Sequence, residues 1–288
     1  MKPLLWICID GAEAYDHFPE RLSKQADKRG ILHEILYAEG FKMVNGKFLY
    51  RNNEIKKLPD FALIRSVNPV FNKLLGAQDG VRLINSIKAL TNTGNKLRCH
   101  RLLEKVGIPQ PKFFHTPDPI SYEDVVKEVG SPFVAKNRFG HGGSQVWLIH
   151  NQAEFEVALK AEKIYDLLFQ EYIKESFGKD VRVMVFGGKI IASFMRVNPS
   201  DFRSNGDLGA GVTVCEIPKE IQDRAIKIAA IVDGEILSVD FLLCNDKYIF
   251  CESNVVAGFS LGELINCPMP ELAIDYVHQV IKKEWGKK

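Results

Sequence analysis

Residues 235–244, E-I-L-S-V-D-F-L-L-C, and residues 248–254, Y-I-F-C-E-S-N, flank Asn245, Asp246 and Lys247. Two apolar, β-prone runs around a short polar break read as a hairpin. A three-residue loop places Cys244 opposite Tyr248 and, counting back, Asp240 opposite Glu252. Directly paired residues carry Cβ atoms about 5 Å apart, where like charges repel. Strand alternation keeps Asn254 on the Glu252 face and puts Cys251 on the other, with Phe241 and Ile249 in the core. Two carboxylates and an amide oxygen then converge at the open end of an apolar hairpin, which is costly unless a cation sits between them. A solvated, salt-bridged edge hairpin is the other reading, and the hairpin by itself does not choose.

At 288 residues the chain has room for one large domain or for two to three smaller ones. Hydrophobic residues make up 46% and charged residues 26%, which predicts a packed globular chain rather than disorder. A net charge of +2 gives no support for nucleic-acid or membrane-surface binding. No apolar run reaches the roughly 18 residues that a membrane-spanning helix needs. The opening M-K-P-L-L-W-I-C-I-D reaches Asp10 too soon for a signal peptide and reads as a buried strand. Six cysteines, at 8, 99, 215, 244, 251 and 267, include no C-x-x-C pair. Their irregular spacing predicts reduced, buried thiols in a cytoplasmic protein and, with no Cys/His cluster, no zinc site.

Strands are expected at 3–10, 31–50, 61–66 and 81–84, with helices from Pro19 to Lys28 and Phe71 to Leu75, which together predict a small α/β layer. Asn45-Gly46 marks a hairpin turn inside the second of these. Thr91, Asn92 and Thr93 read as the cap of one helix running to about Val106, stopped by Gly107 and by Pro109 and Pro111. A short helix at 121–129 precedes the strand S-P-F-V-A-K, the loop R-F-G-H-G-G-S and the strand Q-V-W-L-I. A helix at 151–163 leads to the strand D-L-L-F-Q-E-Y-I. A hairpin over 179–196 turns at Gly187-Gly188, a helix covers 217–232, and a last helix covers 270–285.

Lys136 ends an apolar strand just before Gly140, Gly142 and Gly143. Glycines let backbone N–H groups approach an anion, and a lysine beside them supplies a point charge for phosphate. The lysine precedes the glycines, so this is not a phosphate loop of the G-x-x-x-x-G-K-S/T type. A strained hairpin loop with a solvated lysine is equally open, and His141 could touch phosphate, although a solvated loop histidine is the favoured reading. Asp180 and Arg182 share one strand face, with Arg196 and the run D-F-R-S-N at 201–205 nearby. Converging arginines suit carboxylate or phosphate groups. A surface salt-bridge network would look the same in sequence.

Taken in order, Lys96, V-A-K with its glycine loop, Q-E-Y-I, K-D-V-R, D-F-R-S-N, V-D-F and E-S-N resemble the ATP-grasp superfamily. Within it the chain is similar to the RimK-like amino-acid and peptide ligases, over about residues 90–265. The resemblance implies an α/β (α+β) ATP-grasp fold. An N-terminal α/β pre-ATP-grasp domain would cover 1–93, a lid with the glycine loop 94–170, and a C-terminal antiparallel-sheet core 171–288. It implies ATP, and magnesium as two ions for which manganese can substitute, held by Asp240, Glu252 and Asn254 with Glu252 bridging. Lys96, Lys136, Gly140, Gly142 and Gly143 are the implied phosphate contacts, Glu171 and Tyr172 the adenine hinge, and Asp180 a nucleotide-contacting acid. Arg203, Ser204 and Asn205 would stand near the triphosphate, with Arg182 and Arg196 helping to orient the reacting carboxylate.

The implied activity is an ATP-dependent carboxylate–amine ligase that forms an amide through an acyl phosphate, adding L-glutamate or another amino acid to a small-molecule or peptide carboxylate. A nucleotide-binding scaffold, a carboxylate kinase and a carboxylate–thiol ligase are the alternatives, and Arg65 can hold a substrate carboxylate in any of them. Self-association is common among such proteins; nucleic acid and membrane are not expected partners. Two stretches depart from the family: E-S-N runs into V-V-A-G-F without a proline, and R-S-N into G-D-L-G-A-G rather than a basic segment. Both face the substrates in the family, so substrate identity is less defined than the ATP site.

Overall fold

A computed structural model describes residues 2–11, 18–204 and 211–285. Its first layer is a parallel sheet whose strands run in the order Leu32–Tyr37, Leu4–Ile9, Phe61–Arg65, Arg82–Ile84. Leu4–Ile9 is buried along its whole length, as expected for a parallel strand covered on both faces. A small three-stranded meander, Phe41–Val44, Lys47–Tyr50 and Asn53–Glu54, forms a separate sheet that packs on this layer through Phe41 and Phe48. Its first turn is the expected Asn45-Gly46, both at positive φ.

The helix expected over 91–106 is two helices, Ile87–Thr93 and Lys96–Glu104. Gly94 and Asn95 break it, and the Asn95 side chain caps the second by accepting from the Arg98 N–H. Lys96 is thereby fixed at the first helical position rather than within a helix.

A four-stranded antiparallel sheet follows, ordered Val146–Ile149, Phe133–Asn137, Leu167–Glu171, Phe113–Phe114. Its core is its own: Val125, Phe133, Ala135, Phe155 and Phe169 pack together. Each such buried phenylalanine contributes about 1.5–3 kcal/mol of transfer free energy.

The last layer is a five-stranded antiparallel sheet, ordered Gly211–Val214, Lys189–Val197, Lys179–Phe186, Ile236–Cys244, Lys247–Asn254. One face packs on the helix Lys219–Val232 through Ile221, Ala225 and Ile228. The other shares a core with the first sheet through the C-terminal helix Met269–Trp285, where Ala273, Ile274 and Val277 meet Leu5, Phe61, Met184 and Phe194. Asn85 ties the two sheets together: Oδ1 accepts from the Glu235 and Ile236 N–H groups, and Nδ2 donates to the Ile236 and Val255 carbonyls.

The central hairpin pairs Asp240 with Glu252 as expected, but by a different route. Its turn has two residues, Asn245 and Asp246, both at positive φ, so Cys244 faces Lys247 and Leu243 faces Tyr248. That register alone would put Asp240 opposite Cys251. A β-bulge between Asp240 and Phe241 absorbs the extra residue and restores the acid pair. The expectation for Cys251 fails for the same reason: it lines the main cavity, where Glu252 also lies, rather than packing in the core.

Candidate active site

Three layers meet around one cavity of about 930 Å³. The antiparallel sheet of the middle layer gives one wall and the open end of the central hairpin the other. Of the residues singled out from sequence, Lys96, Lys136, Gly140, Gly142, Gly143, Glu171, Tyr172, Asp180, Arg182, Arg196, Arg203, Ser204, Asp240, Glu252 and Asn254 all line it. Asn205 lies outside the described residues. His141 lines the cavity and is exposed, as a solvated loop residue is; partial desolvation, and then Lys96, hold its imidazole below the usual range.

Lys136 is 5% exposed, and its Nζ donates to Gln170 Oε1 at 2.7 Å. Burial lowers its affinity for a proton. Gln170 is held in turn. Its Nε2 lies 3.4 Å from His100 Nε2, and His100 Nδ1 lies 2.8 Å from Gln110 Oε1. Burial pushes the His100 imidazole down to about 3, so the ring is neutral. Gln110 Oε1 can only accept, which puts the proton on Nδ1 and leaves Nε2 to accept from Gln170. The chain therefore aims the Gln170 carbonyl at Lys136. Neither His100 nor Gln170 was singled out from sequence; the one signal was a polar residue inside the buried run L-L-F-Q.

Lys96 donates from Nζ to the Gly140 carbonyl and stands 3.7 Å from Glu252 Oε1. Gly142 and Gly143 both adopt positive φ, which a side chain would resist. Arg203 reaches the same loop, donating from Nη1 to the Gly143 carbonyl at 2.7 Å while Asp201 holds its other edge. Glu171 ends its strand paired to Lys112, whose carbonyl accepts its N–H at 2.9 Å.

Arg182, Arg196, Asp180 and Asp240 form one buried network. Asp240 accepts from Arg182 Nε at 2.8 Å and Nη2 at 2.7 Å, and from Arg196 Nη2 at 2.9 Å. Arg196 also grips Asp180 through Nε and Nη2. Burial opposes the charge on Asp240, but Arg182 and Arg196 together outweigh it and hold the carboxyl below its usual range. Asp180, buried with the closer help of one arginine, is pushed up. Glu252 is likewise lowered: burial opposes its charge, and Lys96, then Lys136 and Arg182, prevail over repulsion from Asp240.

The donor set tests the expected magnesium. All the candidate ligand atoms are oxygen, which suits a hard cation. Glu252 and Asn254 line the cavity, whereas three hydrogen bonds already occupy Asp240. Among the described residues no group of three His, Cys, Asp or Glu forms a closed cage. The set fits an ion that borrows its remaining ligands from phosphate and water, and it does not fit one caged by protein.

Residues 93–266 match the family model described as RimK-like ATP-grasp domain. Beta-citrylglutamate synthase B of Danio rerio is 29% identical over 218 residues, covering 73% of this chain and 53% of that one. Coenzyme gamma-F420-2:alpha-L-glutamate ligase of Methanocaldococcus jannaschii is 34% identical over 188 residues, covering 62% and 64%. The chain spans about half the length of the first of these relatives. Among solved structures, the ATP-grasp ligase PsnB complexed with a phosphomimetic variant of minimal precursor, Mg and ADP superposes with a TM-score of 0.69 at 18% identity, over 96% of this chain and 97% of that one.

Proposed function

The chain belongs to the RimK-like ATP-grasp family, and we propose that it is an ATP-dependent carboxylate–amine ligase. The observation that carries this is the meeting in one cavity of a basic, glycine-rich set, Lys96, Lys136 and the glycine loop, with an oxygen-rich set, Asp240, Glu252 and Asn254. Glutamate is the amino acid in the names of the relatives, and it is our first candidate for the amine. The acid is a small molecule or the end of a peptide.

A free carboxylate has no useful leaving group. One of its oxygens attacks the γ-phosphorus of ATP, the bond to the β-phosphate oxygen breaks, and ADP leaves. The amine nitrogen then attacks the carbonyl carbon of the acyl phosphate, loses its proton and expels phosphate. Such transfer depends on positioning and charge, so no nucleophilic side chain is required. Lys136, aimed by Gln170, and Lys96 face the phosphates. Arg203 couples the glycine loop to the reacting end, closing the cavity against water. Arg182 and Arg196 act through the field of their network, since Asp180 and Asp240 occupy their carboxylate-binding edges. Glu252 and Asn254, with the remaining lone pair of Asp240, would hold magnesium, as two ions or with manganese in its place, which neutralises phosphate charge.

Six unpaired cysteines support the cytoplasm as its compartment, and among the described residues no helix is long and apolar enough to cross a membrane. The test is phosphate release from MgATP against a panel of carboxylic acids with and without added amino acids. Release that needs both an acid and an amine is expected. Release with acid alone would instead mark a carboxylate kinase, and none with any pair a nucleotide-binding scaffold.

A further inference from the structure

Arg65 is 1% exposed at the carboxyl end of its strand, in register with Ile9 of the neighbouring parallel strand. From these two central strands the sheet extends in opposite directions, to Leu32–Tyr37 on one side and Arg82–Ile84 on the other. The crevice at the carboxyl ends of strands at such a switch point is where open α/β sheets bind ligands. Asp10, Arg65 and Ser66 stand there, all buried.

Asp10 is the opposite charge that Arg65 feels, but its oxygens are engaged elsewhere. Asp10 accepts from the Ser66 hydroxyl and from the Val67 N–H at 2.8 Å, so its oxygens serve the turn. Arg65 Nη2 donates to the Ala257 carbonyl at 2.5 Å, and its guanidinium carbon lies 3.8 Å from the centre of the Phe259 ring. Nε and Nη1 are buried with no hydrogen-bond partner. A buried guanidinium with unfilled donors is costly, and burial drives its affinity for a proton down to about 9 despite Asp10. It still carries its charge at neutral pH.

Arg65 is not itself in the wall of the main cavity. Two of the wall's residues adjoin it: Val67, two positions on in the chain, and Ala257, whose carbonyl Arg65 meets. The covering segment begins one residue after Asn254.

We propose that Arg65 anchors a substrate carboxylate that is not consumed in the reaction, admitted when the Val255–Ser260 segment shifts aside. A carboxylate is the anion whose two oxygens match the fork of a guanidinium. The proposal rests on the ligase reading and narrows its substrates: one carries a spare carboxylate, either a second acidic group on the acid or the α-carboxylate of the amine.

The experiment titrates citrate, succinate and L-glutamate, without magnesium, into the whole protein and into Arg65→Met and Arg65→Lys, by calorimetry. Each variant is also titrated with MgATP. Weakening of one probe by about 30-fold in Arg65→Met, and less in Arg65→Lys, with MgATP affinity unchanged, is expected for a lost charge-assisted fork. Loss confined to citrate or succinate places the subsite on the acid; loss confined to L-glutamate places it on the amine. If Arg65→Met does not fold, Arg65→Lys decides. Probe affinities unchanged in a folded variant, or no probe bound by the wild type, overturn the proposal. Absence of MgATP binding in the wild type is a different result and overturns the ligase reading itself.

Discussion

Arg182 and Asp240 stand opposite each other on neighbouring strands and meet in a two-pronged ion pair, at 2.8 and 2.7 Å. Asp240 therefore balances buried arginines, and in the proposed site only its last lone pair is left for a cation. Glu252 meets Lys96 at 3.7 Å and, among the described residues, no other cation at ion-pair distance.

The two acids should separate in mutagenesis. Asp240→Asn leaves Arg182 and Arg196 under-paired and is expected to cost about 3–5 kcal/mol of stability, besides abolishing turnover. Glu252→Gln is expected to abolish MgATP turnover with a stability change of under about 1 kcal/mol. Urea unfolding followed by circular dichroism, alongside ADP formation, measures both. Equal stability losses would refute this division of labour, and full activity in Glu252→Gln would sink the ligase assignment.

Arg203 connects the glycine loop to the strand-following run D-F-R-S. Arg203→Met should free the loop without unfolding the sheet. The expected result is a rise of roughly 10-fold in KM for MgATP, about 1.4 kcal/mol, at nearly constant Tm. Arg203→Lys should fall between, because one ammonium cannot hold both Asp201 and the Gly143 carbonyl. A wild-type KM in Arg203→Met would show that the contact does not position the loop.

The sequence and the structure agree where a short-range rule sets the geometry. Period-two alternation and the polar break marked the hairpin, and the Asp240–Glu252 pair followed. The route to that pair was not legible, because two features hide each other: a two-residue turn shifts the register by one, and the bulge shifts it back. Only Cys251 reveals the difference, since it moves from the core to the cavity. Lys96 was legible as a candidate, but its helix boundary was not, because Asn95 competes with three earlier polar caps. The His100–Gln170–Lys136 chain joins residues far apart in sequence, and no local pattern encodes it.

Cys251 offers a check on the bulge. Burial pushes its thiol up to about 12, so it should stay largely unalkylated by iodoacetamide at pH 8 while folded. Because it is only half-buried, peptide mapping should show it alkylated ahead of the fully buried Cys8 and Cys99, and equal to them in urea; protection equal to theirs in the folded protein would place it in the core. A larger side chain should also obstruct the cavity that Cys251 lines. Cys251→Phe is expected to raise KM for MgATP at least about 10-fold, and unchanged MgATP kinetics would place residue 251 back in the core.

His100 makes the pH dependence specific. Its folded value of about 3 lies below the ordinary imidazole value of about 6.5. Between the two, the unfolded chain binds the extra proton. The stability contributed by neutral His100 is thus complete above about pH 6.5 and is lost as pH falls toward 3, by at most about 1.4 kcal/mol per unit. His100→Phe retains the ring packing against Phe113 and Phe250 but cannot titrate. Guanidinium unfolding at pH 7.5, 6.5, 5.5 and 4.5 should show the wild type losing stability relative to His100→Phe below about pH 6.5. The same variant leaves Gln170 without an acceptor for Nε2, so KM for MgATP should rise several-fold. His100→Gln, which can accept from Gln170 and donate to Gln110, should restore it. A His100→Phe enzyme with wild-type KM would show that Lys136 needs no such support.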